Sequence, residues 1–244
     1  MLLAAAMPIG CGQSEETSTL ARIQKRGSMR IGTDATYAPF EFVSERTGLP
    51  AGYDIDLMDS ICVHLGVKAE YIVSPFDGII AGLTTDRYDC VISAMTITPD
   101  RAEKVLFSRP YYAAGQTIAV REDNDEIESV ADLNGRKIGV QMGTTGMRFA
   151  ESISGVEVFP YDHIGAAFID LQNGRVDAVI NDRPVTQIAI RERGGIKIVG
   201  DVLSDEHYGI AVRKSDTLLV EQVDIILTEL EEAGYFESLQ VKWF

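Results

Sequence analysis

A chain of 244 residues, 45% hydrophobic and 24% charged, can form one large domain or two lobes of roughly 100 residues, each with its own core. Its 37 acidic and 22 basic side chains give a net charge of −15. That balance excludes nucleic acid, whose phosphates need a basic surface, and charge-driven adhesion to anionic lipid. His64, His163 and His207 are scattered and no two cysteines are close, so neither a metal nor any other cofactor is expected.

Residues 2–9 form an apolar run too short to span a bilayer, followed by Gly10-Cys11-Gly12 and a polar segment. This resembles the end of a bacterial lipoprotein signal, without a basic leader and with Pro8 where leucine is usual. It implies a lipidated Cys11, hence a membrane anchor, and a flexible tether through residue 19. Cys62 and Cys90 sit in apolar contexts and read as buried free thiols.

Beyond the tether, short apolar strands alternate with amphipathic helices, the pattern of an α/β fold. Strands are expected at 29–33, 68–73 and 89–93, with helices at 53–65, stopped by Gly66, and at 76–85. Residues 111–120 form a long extended stretch interrupted by Gly115. A second set follows: strands 137–141, 156–159, 176–180 and 196–199, with helices at 146–153, at 164–172 and after Pro184. Residues 206–212 cross back, and a helix over 216–233 closes the fold. Two α/β blocks joined by two extended stretches predict two lobes on a double hinge. The lobes are 20–112 with 209–244, and 113–208, after a tether at 1–19.

Chemistry concentrates at strand ends, where open α/β sheets bind ligands. In Ser93-Ala94-Met95-Thr96-Ile97-Thr98-Pro99-Asp100-Arg101, Thr98 is an N-cap and Pro99 suits the first helical position. The helix N-terminus and the Arg101 fork together suit a carboxylate, though a capped surface helix with a solvated arginine explains the same residues. Asp34 ends the first strand and Tyr37 lies in a Pro-containing loop. Phe76 follows a proline and reads equally as a hydrophobic staple. Gln141-Met142-Gly143-Thr144-Thr145-Gly146 is a glycine-rich turn whose amides can approach an anion, but it lacks the Gly-Lys-Ser/Thr of a nucleotide loop. Asp182 follows a buried strand and alone would be a helix cap. Arg101 and Thr96 in one block and Asp182 in the other suit the two charges of a zwitterion.

Taken in order, Gly32-Thr33-Asp34-Ala35-Thr36-Tyr37-Ala38-Pro39-Phe40-Glu41-Phe42, Gly52-Tyr53-Asp54-Ile55-Asp56-Leu57, Phe76-Asp77-Gly78-Ile79-Ile80, Met95 to Arg101, Gly143-Thr144-Thr145-Gly146 and Lys242-Trp243-Phe244 resemble the periplasmic amino-acid-binding proteins of ABC importers. The resemblance covers 28–244. It implies a type II periplasmic-binding-protein fold, two sheets flanked by helices and joined by hinge strands, that closes on a free L-amino acid as a monomer and docks on permease subunits. Matched by position, Arg101, Thr96 and the amides of Thr144 and Thr145 would hold the α-carboxylate, and Asp182 the ammonium. Tyr37 and Phe76 would flank the side chain, with Asp34 and Gln141 at its polar end. Ala94 and Met95 complete the set, Ala94 standing where glycine or serine is commoner.

Asp34 beside a neutral Gln141 suits a cationic side chain, so arginine is expected first, then lysine or histidine, with glutamine the main rival. A cyclohexadienyl-dehydratase-like enzyme on the same scaffold would need a general acid and no ammonium partner. A ligand-sensing domain for a membrane receptor would need fusion or a separate partner.

Overall fold

The computed structural model describes residues 18–244. In chain order the elements are α1 (Thr19–Arg26), β1 (Ser28–Thr33), β2 (Thr36–Tyr37), β3 (Glu41–Val43), β4 (Pro50–Ala51), α2 (Tyr53–His64), β5 (Lys68–Val73), α3 (Ile79–Thr84) and β6 (Cys90–Val91). Next come α4 (Pro99–Ala102), β7 (Val105–Phe107), β8 (Tyr112–Ala114), β9 (Gln116–Arg121), β10 (Lys137–Gln141), α5 (Thr145–Ser152), β11 (Glu157–Tyr161) and α6 (Ile164–Gln172). The chain ends with β12 (Ala178–Asp182), α7 (Arg183–Arg193), β13 (Ile196–Val199), β14 (Glu206–Tyr208), β15 (Ala211–Arg213), α8 (Thr217–Glu232) and α9 (Tyr235–Trp243).

Two five-stranded sheets define two lobes. The first runs β5-β1-β6-β15-β7 and the second β11-β10-β12-β9-β13. In each, the strands joined by helices pair in parallel: β1 with β5 and β6, and β10 with β11 and β12. The strands entering after the hinge, β15 and β9, pair antiparallel with their neighbours. Parallel strands are covered on both faces, which explains the continuous burial of β12 and most of β1. Helix α8 buries Leu219, Val220, Val223, Ile226, Leu227 and Leu230, a stripe at i, i+3, i+4 spacing.

The connection between lobes is a two-stranded ribbon, β8 against β14, with Tyr112 opposite Tyr208 and Ala114 opposite Glu206. The boundaries drawn from sequence, 112/113 and 208/209, fall on this ribbon. It is anchored in an aromatic cluster where Phe40 meets Tyr112 at 4.8 Å and Tyr208 at 5.2 Å, and Tyr112 stacks on Phe244 at 5.5 Å.

Several expectations need correction. Ser18 and Thr19 belong to the fold, not to a tether: the Ser18 hydroxyl caps α1, and Thr19 Oγ1 donates to Asp216 Oδ1 at 2.8 Å. The strand expected at 89–93 is confined to Cys90–Val91, because Ser93 and Ala94 leave the sheet to serve the site. The helix expected at 76–85 opens with a 3-10 turn over Phe76–Gly78. Strand β12 extends to Asp182 instead of ending at 180, carrying the carboxylate on the sheet itself. Helix α9 had no expectation. Its Trp243 Nε1 and Lys242 Nζ both donate to Asp56 Oδ2, at 2.7 and 2.6 Å, which docks the Lys-Trp-Phe motif on α2. Cys11 lies outside the described residues.

Candidate ligand-binding site

Helix α4 is a single turn, capped by Thr98, whose Oγ1 accepts from the Arg101 N–H at 3.3 Å. So short a helix has little dipole, and the anion-binding element is the guanidinium itself. Arg101 is 4% exposed, with one terminal nitrogen donating to the Thr96 carbonyl at 2.7 Å and the other to the Gly143 carbonyl across the cleft at 3.2 Å. Its carbon lies 5.2 Å from the centre of the Phe76 ring. Among the described residues no carboxylate forms a salt bridge with it. Burial, with Arg148 nearby, lowers its pKa to about 10, which leaves it charged at neutral pH. Gly143 permits this approach: its φ is +76°, and a Cβ there would lie 2.9 Å from the Asp77 Cα of the other lobe.

Asp182, at the end of β12, is buried and accepts hydrogen bonds from Gln116 Nε2 and from the Tyr37 and Tyr208 hydroxyls. Burial, then the charge of Glu206, raises its pKa to about 6. The Tyr37 hydroxyl, from the other lobe, lies 2.8 Å from both Asp182 Oδ2 and Asn181 Oδ1. Tyr37, expected to flank a ligand side chain, bridges the lobes through its oxygen.

At the other carboxylate, Asp34 Oδ2 accepts from Gln141 Nε2 across the cleft at 2.7 Å and from Thr36 Oγ1 at 2.9 Å. Burial raises the Asp34 pKa, and these two hydrogen bonds oppose the shift. Thr144 Oγ1 accepts from the Met147 N–H at 3.1 Å and lies 2.7 Å from the Gln141 carbonyl, so this hydroxyl caps α5 and the nearby amides are left as anion donors. Thr96 and Thr145, one from each lobe, both donate to Glu206 Oε2, at 2.6 and 2.9 Å.

The cavity is lined by Asp34, Tyr37, Glu41, Phe76, Ser93, Ala94, Thr96, Arg101, Gln141, Thr144, Thr145 and Asp182. Its volume is about 280 Å³, at the narrow end for a ligand cavity. Hydrogen bonds between its walls, such as Gln141 to Asp34 and Tyr37 to Asp182, cross it. Met95 alone of the expected set within the described residues does not line it: its side chain is fully buried with Ile79, Leu83 and Tyr88. Sequence reasoning missed Glu41 and Ser93 on the wall, and Gln116, Glu206 and Tyr208 around Asp182. Glu41 stands between two phenylalanines in a strand and Glu206 opens the hinge crossing, positions where a charge signals a special partner. Among the described residues no group of His, Cys, Asp and Glu could hold a metal ion.

The description bacterial extracellular solute-binding proteins, family 3, matches residues 29–244. The chain belongs to this family. Among its relatives, the L-cystine-binding protein TcyJ of Escherichia coli K12 is 31% identical over 92% of this chain and 85% of its own length. The ABC transporter arginine-binding protein 1 of the same organism is 32% identical over 88% of this chain and 90% of its own. The arginine-bound form of a truncated ArgBP from T. maritima superposes with a TM-score of 0.83 at 41% identity, covering 86% of this chain and 99% of that one. These relatives of the solute-binding family are binding proteins. Among the described residues no helix is long and apolar enough to cross a membrane.

Proposed function

We propose that this solute-binding protein captures an L-amino acid with a cationic side chain, arginine first, and presents it to the membrane subunits of an ABC importer. One observation carries the ligand reading: a buried guanidinium without a salt-bridge partner shares a cavity with the buried carboxyls of Asp182 and Asp34, a third, Glu41, being engaged by Ser93. An α-carboxylate on Arg101 and an ammonium on Asp182 leave Asp34 to meet a second positive charge. Gln141 donates to Asp34 without neutralising it, and the Phe76 ring offers a face to a planar cation. The similarity to arginine-binding relatives supports this choice, whereas the cystine-binding relative shows that the family spans other ligands.

Capture works by population shift, because the proposed ligand contacts come from both lobes and favour the state in which the lobes meet. The β8–β14 ribbon supports hinges near residues 111–115 and 206–209. The same reading makes the protein a monomeric receptor, not an enzyme, with Cys11 as a lipid anchor. A thermal-shift panel of the twenty amino acids, followed by calorimetry, tests it. Arginine is expected to give the largest shift, and a panel without any shift would overturn the receptor. Turnover of prephenate or arogenate would establish an enzyme instead.

A further inference from the structure

Glu41 and Asp54 are buried carboxyls from different elements, and nothing in the ligand reading uses them as a pair. Glu41 opens β3 and Asp54 lies in the first turn of α2, 1% and 0% exposed. Gly52 brings them together: its φ is +137°, a Cβ there would lie 2.1 Å from the Phe40 carbonyl oxygen, and the Tyr53 and Asp54 N–H groups donate to the Pro39 and Phe40 carbonyls at 2.9 Å each. Each carboxyl uses one oxygen on the segment that carries the ligand loop. Glu41 Oε1 accepts from Ser93 Oγ at 2.8 Å, while Asp54 Oδ2 accepts from the Ala94 N–H at 2.8 Å and the Tyr111 hydroxyl at 3.0 Å. The remaining oxygens, Glu41 Oε2 and Asp54 Oδ1, are buried without any donor, and the two carboxyls are within hydrogen-bonding reach of each other.

Two ionised carboxylates in contact, each with an unsatisfied oxygen, carry both a desolvation cost and mutual repulsion. One proton between them removes both costs. The titratable groups around the pair are Asp34, Tyr37, Tyr53 and Tyr111, with Arg101 lining the same cavity as Glu41; none of the hydrogen bonds reaching the pair comes from a cation.

We propose that Glu41 and Asp54 hold one proton between them and act as a single carboxyl–carboxylate unit that positions the segment from Ser93 to Thr96. Burial and mutual repulsion push Glu41 well above the usual carboxylate range, and burial takes Asp54 to about 7. Unfolded carboxyls titrate near about 4, so the native state keeps a proton that the unfolded chain releases. The pair therefore favours folding most at low pH, and that contribution is lost as pH rises through neutrality.

An amide can stand in for the proton. In Asp54→Asn the carbonyl keeps the Ala94 and Tyr111 bonds and the NH2 donates to Glu41; in Glu41→Gln the carbonyl keeps Ser93 and the NH2 donates to Asp54. In the double variant two NH2 groups face each other with no acceptor. Urea unfolding of the full chain between pH 6 and 8 tests this without reference to any ligand. The unfolding constant of the parent is expected to rise about one decade per pH unit more steeply than that of either single variant. Each single variant should be no less stable than the parent at pH 8, while the double falls short of their sum by more than about tenfold in the folding constant. Equal pH slopes, additive single variants, or failure of both single variants to fold would each overturn the shared proton.

Discussion

The two ends of the cavity hold charge in opposite ways. Arg101 is held by two backbone carbonyls and a ring face, all neutral, and among the described residues it forms no salt bridge, the charges of Asp182 and Glu206 acting on it only from a distance. Asp182 is surrounded by three side-chain donors, two of them hydroxyls that can rotate toward another partner. The cation is held by neutral groups without a salt bridge; the anion is satisfied by replaceable groups. A carboxylate should therefore find its site preformed, and an ammonium should have to displace a hydroxyl. On the proposed function, most of the affinity is expected at the Arg101 end.

Breaking that end should give the largest effect. Arg101→Ala is expected to weaken arginine binding by about 2–5 kcal/mol, the range for truncating one partner of a buried, hydrogen-bonded charge pair; calorimetry checks it. Asp182→Asn should cost less, about 1.5–3 kcal/mol, because the amide retains an acceptor. The same residue predicts a pH dependence. An ammonium favours the ionised carboxylate, so affinity should fall as pH drops through about 6. Stability without ligand runs the other way: the raised folded-state pKa contributes stability below the unfolded value near about 3.9, and this is lost as pH rises through about 6. Opposite slopes in binding and denaturation curves would sharpen the contrast, and parallel slopes would break it.

At the side-chain end, Asp34→Asn is expected to lower arginine affinity about tenfold, about 1.4 kcal/mol, and glutamine affinity far less. Equal losses for both would remove Asp34 from ligand discrimination. The smallest effect belongs to the exposed pair Arg148–Asp100, 2.6 Å apart across the cleft, where Arg148→Ala should change affinity by at most about 1 kcal/mol.

The sequence marked some elements to the residue: β5, β10, α6 and β13, each an apolar pattern bracketed by Gly, Pro or polar turns. It did not reveal α1 or α9, whose docking depends on distant partners, such as Asp216 for Thr19 and Asp56 for Trp243. The site followed the same division. Arg101, in a short capped helix, and Asp182, at a strand end, each had an ordinary reading alone and gained meaning only as a pair of opposite charges in the two blocks. The role of Glu206 was not legible, because it depends on Thr96 and Thr145, 110 and 61 positions away in the chain. Ser93 and Ala94, adjacent in the chain, both line the cavity because the backbone turns at Ala94, whose φ is +42°, while Met95 next to them faces the core.

The connecting ribbon sets what kind of instrument this molecule is. Because β8 and β14 are hydrogen-bonded to each other, they bend as a strip, and a strip flexes readily along one axis while resisting shear along its length. The proposed jaw movement would then reduce to one coordinate. Dyes attached at positions 100 and 148, on opposite lips of the cleft, would read that coordinate directly, and their signal would become a concentration gauge for whatever solute draws the lips together.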